Sequence, residues 1–428
     1  MKKISILYDV SIIANNYSRT GVYFVALNIL NELKKKNEIS LSLYCQSDDI
    51  TSAKNNIASL AKSADLPCVF RLTQPSLNRF KPKLKKILNK MPRFLQNLAY
   101  KNKNFILKFA STIKKPQPKP ALKAQELAKY DAFFSPCFAV PDEFKNIKNY
   151  LIIYDLIPLL LDGYKDDPSN AWILNMLNNL DDKSTCFSIS CHTKKDFLAH
   201  LPKLKDENIV VTPLACDKSF KPASNEQINL AKQKYKIPEN KKYIFSLCSL
   251  EPRKNILRVI KCFCEFIKKN NINDLVLALG GGADMKFLPT LEANIKNLNE
   301  YKDKILILGY VDSADLAPLY SGALFFVYTS QYEGFGLPPL EAMSCGSAVI
   351  TSDNSSLPEV VGDAGIMIAY DSDEAHIKAY EKYYFDENFR KENAKKGLER
   401  SGLFSWQKCA DIMVNKIKDD IEKAKINL

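Results

Sequence analysis

FFVYTSQYEGFGLPPLEAMSCGSAVITSDNSSLPEVVGDAGIMI, residues 325–368, contains a complete structural unit. The apolar run 323–328 reads as a buried strand. A glycine corner follows, Glu333-Gly334-Phe335-Gly336-Leu337. Pro338 and Pro339 then open a helical pattern that Gly346 closes. Proline at the first helical positions and glycine just past the last are start and stop signals. The apolar run 348–350 reads as the next strand. Strand, corner, short helix and strand make a βαβ unit of an open parallel sheet.

That geometry carries chemistry. A helix N-terminus presents unpaired N–H groups and about half a unit of positive charge. Glycines ahead of it let the backbone approach a ligand, and together they suit a diphosphate. Two carboxylates flank the corner in Glu-x7-Glu spacing, Glu333 before it and Glu341 one turn into the helix. An ionised carboxylate accepts hydrogen bonds from paired hydroxyls, and a diphosphate with a hydroxyl-rich group on each side is a nucleotide sugar. On spacing alone, a plain βαβ turn with two solvated glutamates stays open.

The stretch resembles the donor-sugar motif of the retaining GT-B glycosyltransferases of glycosyltransferase family 4. That motif reads E-G-F-G-L-P-x-L-E-A-M-x-x-G, and residues 333–346 hold every fixed position of it. The resemblance implies that Glu333 contacts the transferred hexose. It implies that the backbone of Gly334, Phe335, Gly336 and Leu337 meets sugar and phosphate, and that Glu341 holds the ribose.

At 428 residues the chain exceeds what one core usually holds, so two domains are expected. Eleven cysteines, an odd number with no Cys-x-x-Cys pair, favour reduced thiols and a cytoplasmic compartment over disulfides or zinc. The three histidines, His192, His200 and His376, are too scattered to suggest a metal cluster. The apolar run behind Met1-Lys2-Lys3 breaks at Asp9, which argues against a secretory signal. The most apolar long segment, 150–161, contains Asp155 and is too short to span a bilayer. The net charge of +13 is concentrated: residues 66–125 hold fifteen Lys or Arg and no Asp or Glu, so the remainder sums to −2.

Along the chain, residues 4–10 read as the first strand. Thr20-Gly21 then precedes an amphipathic helix marked by Val22, Val25, Ile29, Leu30 and Leu33. This resembles the family's opening, which implies that Gly21 lets the backbone approach the sugar diphosphate; a helix-start glycine is the bland alternative. In the basic segment, Phe80, Leu84, Ile87, Leu88 and Leu95 interleave with lysines, and Pro82 and Pro92 interrupt it. Three readings compete: an amphipathic arm on an anionic membrane, phosphate contacts to nucleic acid, and a solvated insertion packed on its own domain. The resemblance favours the membrane, because many relatives glycosylate lipid-linked acceptors at its inner face.

Tyr154-Asp155-Leu156-Ile157-Pro158 resembles the family's His-Asp-Leu-x-Pro motif, with Tyr154 in place of histidine. Asp155 is a candidate for orienting a sugar or acceptor hydroxyl, or a structural residue. Residues 188–196 resemble a strand and a Ser-capped helix, and 210–222 the interdomain linker. Further on, Arg253 and Lys254 sit before a helix, where two cations oppose the helix dipole, so an anion is expected beside them. Charge-assisted bonds of about 1.5–3 kcal/mol each would neutralise a departing nucleoside diphosphate. Their segment resembles the S/T-L-E-P-R-K-N of mannosyl- and rhamnosyltransferase-like members, which implies a phosphate role for both. Gly280-Gly281-Gly282 ends a strand and offers a backbone approach to the nucleotide. Gly309-Tyr310-Val311 resembles the segment that brackets the base. Asp371-Ser372-Asp373 spells the metal-binding Asp-x-Asp but precedes a helical pattern, and reads as a cap.

The expected fold is α/β, GT-B, with two Rossmann-like domains facing across a cleft. Residues 1–218 form the acceptor domain with a basic insertion at about 76–123, residues 219–404 the nucleotide-sugar domain, and 405–428 a helix crossing back. The implied reaction is retaining transfer of a hexose, mannose first, from a nucleoside-diphosphate sugar to a glycan or lipid-linked glycan. It would serve surface polysaccharide or lipopolysaccharide synthesis, without metal or other cofactor and without nucleic acid. The enzyme is expected in the cytoplasm, peripherally at the inner face of the plasma membrane. Glu333, Arg253, Lys254 and Asp155 are the expected catalytic residues; Gly21, Gly334, Phe335, Gly336, Leu337, Glu341 and Val311 are the expected donor contacts. A GT-B phosphorylase, a nucleotide-sugar epimerase and a non-enzymatic basic binding protein are the alternatives.

Overall fold

The structure, a computed structural model, describes residues 3–15, 21–62, 66–72, 122–165, 167, 170–180, 182–282 and 287–426. The basic arm expected at about 76–123 lies, but for 122 and 123, outside the described residues. The chain divides into two compact units, Met1–Leu151 and Ile152–Leu428.

In the amino-terminal sheet, β1 (Ile4–Asp9), β2 (Ile39–Ser47), β3 (Cys68–Leu72), β4 (Ala132–Ser135) and β5 (Lys148–Ile153) lie in the order β3-β2-β1-β4-β5. β1 pairs parallel with β2 and β4, and β2 with β3. The seven-stranded sheet continues through β6 (Thr185–Ser188) and β7 (Ile209–Val211). The strands are mostly buried along their length, as in a parallel sheet covered on both sides. The helix Gly21–Leu33 buries Val25, Ile29, Leu30 and Leu33 of the expected stripe, with Ala26 beside them, and leaves Val22 half-buried. Phe133 stacks on Phe144 at 4.4 Å, and Tyr44 meets both edge-on.

β3 falls inside the stretch counted from its charge as one basic segment. Arg71 is a strand residue paired with Glu143 at 3.2 Å, and belongs to the sheet rather than to an arm.

The second unit holds a six-stranded parallel sheet in the order β10-β9-β8-β11-β12-β13. Its strands are β8 (Lys242–Leu247), β9 (Leu275–Gly280), β10 (Ile305–Gly309), β11 (Phe325–Tyr328), β12 (Val349–Ser352) and β13 (Gly365–Ile368). The chain winds outward from β8 to β10, then returns to lay β11 on the other side of β8. That reversal is a topological switch point, and in open α/β sheets ligands bind outside the carboxyl ends of the strands there. Gly281 at φ +121° knits the sheet: a Cβ there would lie 1.8 Å from the Cys248 carbonyl oxygen, and Gly281 N–H donates to Gly309 O at 2.7 Å. The final helix, Trp406–Ile426, buries Cys409, Met413, Val414 and Ile417. Its Asp420 accepts from the Thr185 hydroxyl of β6 at 3.1 Å.

Candidate active site at the switch point

Two loops leave the carboxyl ends of β8 and β11. The first passes through the turn Pro252–Lys254 and enters the helix Ile256–Lys269; the second is residues 329–336. They are joined where Gln331 N–H donates to Arg253 O at 2.8 Å.

Glu333 is buried between them, and its Oε1 is the focus. It accepts from Lys254 Nζ at 2.6 Å, Arg253 Nη1 at 3.0 Å, Tyr328 Oη at 3.0 Å and the Ser330 hydroxyl. Burial alone would push this carboxyl up; the charges of Lys254 and Arg253 and the Ser330 bond outweigh it and hold it at about 2. The anion that two cations at a helix start demand is thus Glu333 itself. Arg253 also donates to Tyr332 O at 2.6 Å and to Glu251 Oε1 at 2.8 Å. Burial works against its charge, but the Glu333 and Glu251 carboxylates keep its pKa raised. Among the described residues its buried Nε has no hydrogen-bond partner, and an orphaned buried donor is costly unless a ligand or water meets it.

The glycine corner is held from behind by hydroxyls. Gly334 O accepts from Ser190 Oγ at 2.8 Å and Thr193 Oγ1 at 3.1 Å. Ser356 Oγ lies 2.9 Å from Glu333 O and 2.7 Å from Phe335 O, and Glu333 N–H donates to Ser355 Oγ at 3.1 Å. Gly336 at φ +116° turns the chain into the helix Leu337–Ser344. Among the described residues the N–H groups of Gly334, Phe335, Gly336 and Leu337 find no acceptor. The result is a set of free donors at a helix start beside two buried cations, suited to an anion.

Asp155 lies against this corner. A Cβ on Gly334 would stand 2.4 Å from Tyr154 O and 3.1 Å from Asp155 Cβ. Asp155 Oδ1 accepts Ile157 N–H at 3.0 Å; burial pushes its carboxyl up, with Arg253 and Lys254 pulling against it. Within the corner helix, Glu341 accepts from Tyr320 Oη at 2.9 Å, and burial raises it to about 7. Val311 is buried at the end of β10, within 3.0 Å of where a Cβ of Gly280 would stand. Gly21, in the other unit, is the exposed first residue of its helix, and residues 16–20 before it are not described. Glu333, Arg253, Lys254, Asp155 and residues 334–337 therefore come together. Tyr328, Ser330, Ser190, Thr193, Ser355 and Ser356 complete the group, and the sequence reading assigned none of them to the site. In Asp371-Ser372-Asp373, Ser372 caps the helix Asp373–Phe385 and Asp373 pairs with Arg258 and Lys261.

The two parallel sheets are those of a GT-B fold, and residues 227–400 match the family described as Glycosyl transferases group 1. Over 245 residues the chain is 33% identical to O-antigen chain mannosyltransferase B of Escherichia coli, covering 56% of this chain and 62% of that protein. Over 275 residues it is 30% identical to the serotype-specific mannosyltransferase WbdA of Escherichia coli, covering 62% of this chain and 33% of that protein. The chain thus spans a third to three-fifths of the length of these relatives. In fold it resembles Anabaena HepE, solved in complex with UDP and glucose, at 14% identity and a TM-score of 0.67, covering 97% of this chain and all of that one. No helix among the described residues is long and apolar enough to cross a membrane.

Proposed function

We propose that this chain transfers a hexose, mannose first, from a nucleoside-diphosphate sugar to a hydroxyl of a glycan or lipid-linked glycan in surface polysaccharide synthesis, with retention at the anomeric carbon. The observation that carries the reading is the convergence of Arg253 and Lys254 on buried Glu333 beneath a corner of free N–H groups. The mannosyltransferase names of the two Escherichia coli relatives support the sugar and the pathway class.

In this reading the donor diphosphate lies on the N–H groups of residues 334–337, with Arg253 and Lys254 neutralising it. Glu333 takes sugar hydroxyls on Oε2, and Glu341 takes the ribose diol. The acceptor oxygen, oriented by Asp155, attacks the anomeric carbon on the face from which the phosphate departs. The bond from that carbon to the phosphate oxygen breaks as the new glycosidic bond forms, and the acceptor proton passes to the leaving phosphate. The protein's contribution is electrostatic stabilisation of the departing charge.

Calorimetric titration of the purified chain with GDP, UDP, dTDP and ADP tests this, with Glu341→Ala alongside. Selective binding of one nucleotide, lost in the variant, is expected. Binding of none at millimolar concentration would refute the donor site.

A further inference from the structure

The corner is held by more than its own strand and helix. Behind it, Ser355 and Ser356 lead into the short helix Leu357–Val361, which carries Glu359. The Glu359 carboxylate reaches the start of a different helix, Cys191–His200, and accepts the N–H groups of Cys191 at 2.7 Å and His192 at 2.6 Å. That helix is capped by Ser190, whose hydroxyl accepts Thr193 N–H and donates to Gly334 O. Thr193 adds a second hydroxyl at Gly334 O. Arg400 fixes the other end of the short helix by donating to Glu359 O and Val360 O at 2.8 and 2.6 Å. The links close a ring: corner, Ser355-Ser356, Glu359, the Ser190-capped helix, and back to Gly334 of the corner.

We infer that Glu359 is a positioning residue for the proposed donor site: it pins the Ser190-capped helix so that Ser190 and Thr193 keep the Gly334 carbonyl turned away and the corner N–H groups turned toward the diphosphate. A carboxylate on two N–H groups at a helix N-terminus is a charge-assisted contact favoured by the helix dipole. Glu359 touches neither the corner N–H groups nor the Arg253–Lys254–Glu333 cluster in the hydrogen bonds of the structure, so it acts through the helix it holds.

The inference rests on the donor-site reading, and its test separates the two. Nucleotide binding to the unaltered chain tests the donor site; Glu359→Ala tests the ring. The variant is expected to weaken binding of the preferred nucleoside diphosphate about tenfold or more. Formate, which fits the space vacated on the two N–H groups, is expected to restore most of that affinity, whereas chloride at equal ionic strength is not. Glu359→Gln, which keeps one acceptor oxygen, should fall between. If the variant binds nucleotide like the unaltered chain, or if formate and chloride act alike, the inference fails while the donor site stands.

Discussion

At the scale of single residues, Glu333 joins two tasks in one carboxylate. It would contact the donor sugar, and it is the counter-ion of two buried cations, so its removal costs more than a contact. Stripping one partner from a buried ion pair costs about 3–5 kcal/mol because the remaining charge is left uncompensated. Glu333→Ala should therefore abolish transfer and also lower the unfolding midpoint in denaturant. Adding Lys254→Met should recover part of the stability and none of the activity, which urea titration and a transfer assay on the same preparations would read. The depressed carboxyl also sets a sign. Its stabilisation is full above the ordinary glutamate range, near 4.5, and is lost as pH falls toward about 2. Glu341 behaves oppositely. Raised to about 7, it weakens the fold as pH climbs from 4.5 through 7, since the folded state holds the proton more tightly. A ribose diol donates to the ionised form, so nucleotide binding at pH 6.5 should release most of a proton and tighten toward pH 8. Titrations in buffers of different ionisation enthalpy would show the release, and Glu341→Gln, which keeps an acceptor oxygen but does not titrate, should bind without it.

At the scale of elements, the strand–corner–helix–strand unit was legible because its signals are local: an apolar run, Gly-x-Gly, prolines at a helix start. Arg253 and Lys254 were legible as cations wanting an anion, but not as partners of Glu333, because charge residues carry no address in sequence. The hydroxyls behind the corner were invisible for the same reason: Ser190 is 144 positions from Gly334. A glycine required by a close neighbour, as Gly281 is by the Cys248 carbonyl, looks the same in sequence as one kept clear for a ligand. The glycines can be told apart by substitution. Gly334→Ala drives a Cβ to 2.4 Å from a carbonyl oxygen, whereas Gly282→Ala meets nothing within 4 Å. The first should cost about 1–3 kcal/mol by overpacking and impair nucleotide binding; the second should leave the thermal midpoint and affinity near those of the parent.

At the scale of the molecule, both parallel sheets follow one plan, three strands laid outward and the rest on the other side of the first. The sequence shows the repeated strand–glycine–helix rhythm behind this, and hence two Rossmann-like halves. It does not show that β3 enters the basic stretch, because charge counting outvoted a five-residue apolar strand. The concentration of charge still makes a prediction: fifteen cations sit in 66–125 in a chain whose remainder is nearly neutral. Sedimentation with vesicles containing phosphatidylglycerol should be strong at low salt and weak at 0.5 M salt. Replacing Lys83, Lys85, Lys86 and Lys90 with Gln should abolish it. Retention on neutral phosphatidylcholine vesicles regardless of salt would count against an electrostatic arm.

The hydroxyl backing of the corner bears on what could be made to block it. The carbonyls of Glu333, Gly334 and Phe335 already receive Ser190, Thr193 and Ser356, so the pocket floor has donors to offer and few acceptors left. A diphosphate surrogate that keeps oxygen lone pairs along its length, such as a bis-sulfonate, should compete with nucleotide. One that replaces those oxygens with amine N–H groups should not, whatever its shape.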